Sequence, residues 1–176
     1  KRATTKVVDM TRRRTKSGLN RLIATCLLVI ASITSASAIA ATEQKWPYAD
    51  TITIETRHDF ATLVTRVQAA VKESGLFVVT RASASVGAAR REISIPGNMV
   101  LGVFRNDFAV RMLDASVPAG IEAPLRFYLY ENTDGTSSLT YRTPSSVFAP
   151  YNSEALSTLA AELDEMFAAI ATAANR

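Results

Sequence analysis

The chain has 176 residues, of which 48% are hydrophobic and 20% are charged, a balance typical of a folded globular domain rather than a fibrous or disordered chain. Its net charge of +4 is unevenly distributed, because residues 1–38 carry eight basic residues and one acidic residue while the remainder carries 12 basic and 15 acidic residues. Without its first segment the chain is acidic, so its overall basicity does not predict binding to nucleic acid.

Residues 1–38 have the order of a secretory signal peptide. Basic residues end at Arg21, an apolar run covers residues 22–31, and small residues continue to Ala36-Ser37-Ala38. We predict cleavage after Ala38, with the sites a few residues further on as alternatives, and therefore an extracytoplasmic protein that is periplasmic or secreted.

An uncleaved N-terminal membrane anchor is the alternative. Residues 22–41 approach the roughly 20 residues that span a bilayer, but serine and threonine make the second half of this stretch unfavourable in lipid. Contact with a membrane is expected only through this segment, if it stays uncleaved. The single cysteine, Cys26, lies inside the apolar run, so a cleaved chain would have no thiol for a disulfide or a thiolate metal site.

Residues 39–50 are predicted to form a short linker, and residues 51–176 a single α+β domain. Alternation of apolar and polar residues indicates strands, and apolar residues three and four apart indicate helices. The first predicted elements are a strand at 51–56, a helix from an Asp59 cap to Gly75, a central strand at 76–80 and a short helix at 84–91. A short continuous β-prone run is typical of a central strand, which is the reason for placing residues 76–80 inside the sheet.

The second half of the domain is predicted in the same way. The elements are a buried strand at 99–104, a short helix capped by Asn106 or Asp107 and ending near Asp114, strands at 125–131 and 137–142, and a final helix from Asn152 or Ser153. Asp134-Gly135 is a hairpin turn signal between the last two strands. The final helix has one apolar stripe, formed by Leu156, Leu159, Ala160, Leu163, Phe167, Ile170 and Ala171. Together the elements predict a compact two-layer α+β domain, with a mostly antiparallel or mixed sheet of about five strands packed against helices.

The predicted hairpin has an apolar face. If Glu131 lies opposite Ser137, then Leu129 faces Leu139, and Phe127 faces Tyr141. These four apolar side chains are expected to pack against the helices.

The other face of the hairpin is both aromatic and basic. It carries Arg126, Tyr128 and Tyr130 on one strand and Ser138, Thr140 and Arg142 on the other. Such a face is too aromatic for a solvated surface and too polar for a core. Two arginines opposite each other repel unless an acid, an anion or a partner subunit lies between them, so either another part of the chain, a subunit or a ligand is expected there.

Several segments resemble the domain of unknown function family 302, a small bacterial and archaeal domain. They are Asp59 to Gly75, Val100 to Asp107, Leu113, Pro124-Leu125-Arg126, Glu131 to Gly135, and Tyr141 with Pro144. The resemblance covers about Thr51 to Pro144 and implies a compact two-layer α+β domain, often a homodimer, with no established activity or cofactor. The family's Phe-Gly-Asn-Pro-like turn reads Phe104-Arg105-Asn106-Asp107 here, so its glycine-dependent approach of the backbone is lost.

Catalytic patterns are sparse in this sequence. His58 is the only histidine, and its position before the Asp59 cap predicts a solvent-facing side chain. No serine lies in a nucleophile-elbow motif, and no glycine pattern matches a phosphate loop. We therefore predict no metal and no cofactor.

Two classes of function follow. The first is a non-catalytic extracytoplasmic domain that binds a small anionic ligand or a second copy of itself. The second is a hydrolase or other enzyme that uses Glu131, Asp134, Tyr141 and an arginine. The first is favoured because enzymes without cysteine or metal generally need a histidine or a close carboxylate pair.

The candidate ligand or interface residues are Arg105, Asn106, Arg126, Tyr128, Tyr130, Glu131, Tyr141 and Arg142. A flat surface rich in tyrosine and arginine matches the composition of interface centres. A homodimer is therefore the leading expectation, with a small anionic ligand as the alternative.

Overall fold

The computed structural model describes residues 45–176. The predictions of a signal peptide, its cleavage and a membrane anchor all fall on residues 1–44, outside the described residues. Among residues 45–176, no helix combines the length and the apolar character needed to cross a bilayer.

The centre of the domain is one five-stranded antiparallel sheet. Its strands are β1 (Thr51–Thr56), β2 (Phe77–Ala82), β3 (Asn98–Phe104), β4 (Leu125–Glu131) and β5 (Ser137–Arg142). They are arranged in the order β1-β5-β4-β3-β2, and every neighbouring pair is antiparallel. The α+β class and the five strands are confirmed.

Two long helices form the second layer, with shorter helices beside them. The helices are α1 (Phe60–Glu73), α2 (Ala84–Ala89), α3 (Asn106–Ala115), α4 (Pro144–Phe148) and α5 (Glu154–Asn175), with 3-10 helices at Val117–Glu122 and Ala149–Tyr151. The predicted caps are confirmed for α1, where Asp59 accepts from the Thr62 N–H at 2.9 Å, and for α5, where Ser153 accepts from the Leu156 N–H at 3.4 Å. Because Gly75 has a φ of +79°, it can follow α1 in a conformation that side chains disfavour.

The core lies between this helical layer and one face of the sheet. Leu129 pairs with Leu139, and Phe127 with Tyr141, in the predicted register. All four are buried, and the Phe127 ring stacks on that of Phe167 in α5 with centroids 4.4 Å apart. The predicted α5 stripe is buried throughout, so the apolar face of the hairpin and this helix form one core.

Strand β2 corrects the prediction of a central strand. Within the described part of the chain it is at the edge of the sheet and pairs only with β3, and Phe77 and Val79 are 64% and 50% exposed. A short apolar run does not reveal how many neighbours a strand has, because that depends on chain connections that are remote in sequence.

Two local predictions near helix ends were also wrong. Arg105 occupies the N-cap position of α3 and makes no side-chain cap, while Asn106 and Asp107 lie in the first turn. Asp107 accepts hydrogen bonds from Arg105 instead. His58 is half-buried rather than solvent-facing, and its Nε2 atom is buried without a hydrogen-bond partner among the described residues.

Candidate functional site

The face of the sheet opposite α1 and α5 carries the aromatic and basic side chains of the hairpin. We call it the open face and define it by Arg126, Tyr128 and Tyr130 in β4 and Thr140 and Arg142 in β5. Side chains alternate between the two faces of a strand, so these residues interleave with Phe127, Leu129, Leu139 and Tyr141 of the core. The grouping of the five open-face residues follows from the confirmed register.

The chain before β1 lies across this open face. The Trp46 ring contacts Tyr128 edge-to-face with centroids 6.4 Å apart, and its distance to the Tyr130 centroid is 6.0 Å. The rings of Tyr128 and Tyr130 stack on each other at 5.4 Å. Tyr48 lies under the Arg142 guanidinium at 4.3 Å, within cation–π range. Residues that were predicted to form a linker therefore form a wall, which we call the aromatic strap (Trp46–Tyr48).

A cavity of about 340 Å³ lies between the aromatic strap and the open face. Its wall includes Tyr128, Thr140 and both open-face arginines, and its apolar lining includes Val100, Leu125 and Val147. This volume is at the lower end of the range of about 300 to 1,000 Å³ seen for small-molecule sites. The surface expected to be flat is concave.

The two arginines of the cavity have no carboxylate partner among residues 45–176. Arg126 and Arg142 are the next residues on their strands beyond the paired Phe127 and Tyr141, so they lie opposite each other. The ion pairs in this part of the chain are formed by Arg105 and Arg111, both elsewhere. Like charges on neighbouring strands are unfavourable, and this open-face pair leaves two positive charges for an anion to neutralise.

Arg142 also has an unsatisfied donor. Its side chain is half-buried, Nη2 donates to the Ser146 carbonyl oxygen at 3.3 Å, and Nε is buried with no partner among the described residues. A buried donor without an acceptor destabilises the folded state and so lowers the free energy of unfolding.

The acidic residues proposed for an enzyme are engaged elsewhere. The Glu131 side chain accepts from the Gly97 N–H at 2.7 Å, and the Glu131 N–H donates to the Gly97 carbonyl at 2.8 Å. Asp134 accepts from the Thr136 N–H at 3.0 Å and from its hydroxyl at 2.6 Å. Both carboxylates therefore hold turns, and neither lines the open-face cavity.

Tyr141 packs in the core and also borders the open-face cavity. Its ring contacts those of Phe127 and Phe167, with centroid distances of 5.3 and 5.5 Å. Burial, with a smaller effect of the Asp164 charge, raises the pKa of the Tyr141 hydroxyl. The structure does not bring Glu131, Asp134 and Tyr141 together in one pocket, and residues 45–176 contain no group of three or more His, Cys, Asp or Glu side chains arranged to hold a metal ion.

Arg105 and Asn106 are also separate from the cavity. Arg105 forms two hydrogen bonds to Asp107, at 2.7 and 2.9 Å, and its guanidinium lies 4.1 Å from the centre of the Phe108 ring. These contacts raise the pKa of Arg105 and lower that of Asp107, chiefly through the hydrogen bond between them. Asn106 is exposed at the start of α3. Of the eight candidate residues, Arg126, Tyr128, Tyr141 and Arg142 line the cavity, and Tyr130 stacks on Tyr128 beside it.

Sequence reasoning missed two aromatic residues and one acidic residue of the cavity, among others. Trp46 and Tyr48 were placed in a linker, although two aromatic residues within three positions of each other are an unusual composition for one. Glu122 also lines the cavity, and its carboxylate accepts from the Tyr151 hydroxyl at 3.0 Å. Burial, together with this hydrogen bond, raises the pKa of Tyr151, so the hydroxyl remains a donor at neutral pH.

Comparisons with known proteins place the domain in a family. No curated protein matches the chain. The crystal structure of an uncharacterised conserved DUF302 protein from Bacillus stearothermophilus is similar with a TM-score of 0.65 and 19% identity, covering 73% of this chain and 100% of that one. This likeness shows the fold. The family model for the domain of unknown function DUF302 matches residues 52–174, a span that begins after the aromatic strap. The chain therefore belongs to the DUF302 family.

Proposed function

We propose that this protein is an exported, non-catalytic binding domain whose open-face cavity takes a small anionic molecule with a flat or apolar body. The observation that carries the proposal is the pair of arginines, Arg126 and Arg142, that line one cavity and form no ion pair with a carboxylate of residues 45–176. A guanidinium offers a planar fork of donors that matches carboxylate and phosphate oxygens. An acidic group between the two would relieve their repulsion.

The rest of the cavity supports a ligand with an apolar body. Val100, Leu125 and Val147 line it together with the Tyr128 ring and the aromatic strap. Small-molecule sites are typically apolar with a few placed polar groups. The ligand would lie with its acid at the arginines and its body against Tyr128.

The aromatic strap favours a ligand over self-association at this surface. Trp46 already contacts the rings of Tyr128 and Tyr130, which a second copy would have to cover in a dimer. The concave shape is also less suited to a flat, self-complementary interface. A binding role rather than an enzymatic one is supported by the dispersal of Glu131, Asp134 and Tyr141.

Trp46 allows a direct test, because it is the only tryptophan in the chain and lies at the cavity. We expect 3-phenylpropionate, an acid with a flat apolar body, to change the tryptophan fluorescence in a saturable way. Arg142→Gln should weaken this binding by about tenfold or more, as expected for the loss of a charge-assisted hydrogen bond. Arg90→Gln, at an exposed position at the end of α2, is the matched control and should bind like the original protein.

Two results would contradict the proposal. One is the absence of any saturable change with every acid probe, namely 3-phenylpropionate, inorganic phosphate and phenylalanine, at millimolar concentration. The other is a dimer in sedimentation experiments that the double substitution Tyr128→Ala and Tyr130→Ala converts to a folded monomer. That outcome would assign the open face to self-association.

Export has its own test. Mass spectrometry of the protein from its native host should find an N-terminus between Ile39 and Thr42, because the predicted cleavage sites lie there. A dominant species that retains residues 22–38 would contradict export with cleavage and favour the membrane anchor.

A further inference from the structure

The cavity contains a negative charge as well as two positive ones. Glu122, the last residue of the 3-10 helix Val117–Glu122, is half-buried and lines the same cavity as Arg126 and Arg142. Nevertheless, it forms no ion pair with either arginine, and the ion pairs within residues 45–176 involve other carboxylates. Opposite charges therefore share one small cavity without neutralising each other.

Tyr151 holds the Glu122 carboxylate in place. Its hydroxyl donates to Glu122 Oε1 at 3.0 Å, and its ring contacts Phe148 of α4 with centroids 6.5 Å apart. A carboxylate has about four acceptor positions on its two oxygens, and this hydrogen bond uses one of them. Glu122 can therefore accept further hydrogen bonds from a ligand.

A ligand with only negative charge would fit this arrangement poorly. The arginines would attract it, but Glu122 would repel it across a cavity of about 340 Å³, where burial reduces screening by water. A ligand with an acid at one end and a protonated amine at the other would pair with both signs of charge.

Building on the anion-binding function proposed above, we propose that the ligand is zwitterionic, of the amino-acid class. Its acid group lies between Arg126 and Arg142, its ammonium group donates to Glu122, and its apolar body lies against Tyr128. The ammonium group of the ligand then neutralises Glu122, and its acid group lowers the repulsion between the two arginines.

Three probes with the same phenyl body separate the contributions of the acid and the amine. They are phenylalanine, which carries both groups, 3-phenylpropionate, which lacks the amine, and phenethylamine, which lacks the acid. We expect phenylalanine to bind about tenfold more tightly than either of the others, since a hydrogen bond to a charged group has an effect of this order. Calorimetric titration of the full chain, with Trp46 fluorescence as a second readout, measures all three.

The variant Glu122→Gln should affect the binding of the two acids differently. Glutamine keeps an oxygen that accepts from the Tyr151 hydroxyl but removes the charge, so the fold should be unaffected. We expect it to weaken the binding of phenylalanine by about tenfold and to leave the binding of 3-phenylpropionate unchanged or stronger, because a repulsion is removed. Glu154→Gln, at an exposed position in the first turn of α5, is the control and should change neither.

The failures of the two proposals are distinguishable. If Glu122→Gln changes the binding of both acids by the same factor, or if 3-phenylpropionate binds the original protein as tightly as phenylalanine, the zwitterion inference is wrong and anion binding stands. If neither acid binds, both proposals fail. If phenethylamine binds as tightly as phenylalanine and Arg142→Gln does not weaken phenylalanine binding, the cavity is a cation site and both proposals are again wrong.

Discussion

The two faces of the sheet are built from alternate residues of the same strands, yet they differ in what covers them. On one face Phe127, Leu129 and Leu139 are fully buried under the helical layer. On the other, Tyr128 and Tyr130 are only half-buried, and the aromatic strap covers them in part. The first face holds the domain together, and the second leaves a cavity that the fold does not fill.

The arginines of the two sides differ in the same way. In the helical layer Arg105 pairs with Asp107 and Arg111 pairs with Glu162, each through two hydrogen bonds. On the open face neither Arg126 nor Arg142 pairs with a carboxylate of the described residues. The paired arginines connect parts of the helical layer, whereas the arginines of the open face leave their charge for the ligand that we propose. The difference between the two faces is therefore also one of charge.

The largest expected effect on stability comes from truncating a side chain of the core face, compared with truncating its neighbour on the open face. Leu129→Ala should lower the free energy of unfolding by about 2 to 5 kcal/mol, because it removes a fully buried side chain from the core. Tyr128→Ala, one residue away on the open face, should lower the free energy of unfolding much less. Denaturant unfolding measures both, and equal losses would mean that the open face is as important for stability as the core.

The confirmed parts of the fold are those that local sequence patterns determine. The Asp134-Gly135 turn and the alternation on either side of it fix the hairpin register, and with it the grouping of Arg126, Tyr128, Tyr130 and Arg142. The caps of α1 and α5 and the apolar stripe of α5 are equally local. About half of the candidate site was therefore predictable from residues near each other in sequence.

The remainder of the site depends on contacts between remote parts of the chain. Trp46 and Tyr128 are 82 positions apart, and Glu122 and Tyr151 are 29 apart, so no periodicity or motif connects them. The edge position of β2 has the same cause, since the order of strands is determined by the connections between them. Tyr141 has two roles: its aromatic ring packs in the core, and the residue also borders the cavity, and residue type alone does not distinguish the two.

A smaller effect is expected at Gly102, which tests how closely the open face is packed beside the cavity. A Cβ added there would lie 2.1 Å from Thr80 Oγ1 and 2.7 Å from Pro124 Cγ. Because the proline ring cannot rotate away, we expect Gly102→Ala to cost about 1 to 3 kcal/mol of the free energy of unfolding. The control is Gly87→Ala in α2, where a Cβ would meet nothing within 4 Å. This substitution should stabilise the helix by up to about 1 kcal/mol. Equal effects of the two substitutions, measured by denaturant unfolding, would contradict close packing at Gly102.

The smallest effect concerns the paired arginines of the helical layer. Arg111 donates to both carboxylate oxygens of Glu162, at 2.8 and 2.6 Å, and so connects α3 to α5. The hydrogen bond from Arg111 lowers the pKa of Glu162. A carboxylate with a depressed pKa in the folded state stabilises the protein above its unfolded pKa, and the stabilisation is lost as the pH falls through the folded pKa. Both side chains are exposed, so solvent screening keeps the contribution small.

Glu162→Gln should therefore lower the unfolding midpoint slightly at pH 7, and the difference from the original protein should shrink as the pH falls below about 4, the usual range of a glutamate pKa. High salt at pH 7 should shrink it too, since exposed ion pairs are screened. Glu165→Gln is the matched control, because Glu165 is exposed on the same helix and forms no ion pair within residues 45–176, so its effect should not depend on pH in this way. If the variant Glu162→Gln differs from the original protein in unfolding midpoint by the same amount at pH 3 and pH 7, the ion pair with Arg111 does not stabilise the fold. The paired and the unpaired arginines would then not differ in their contribution to stability.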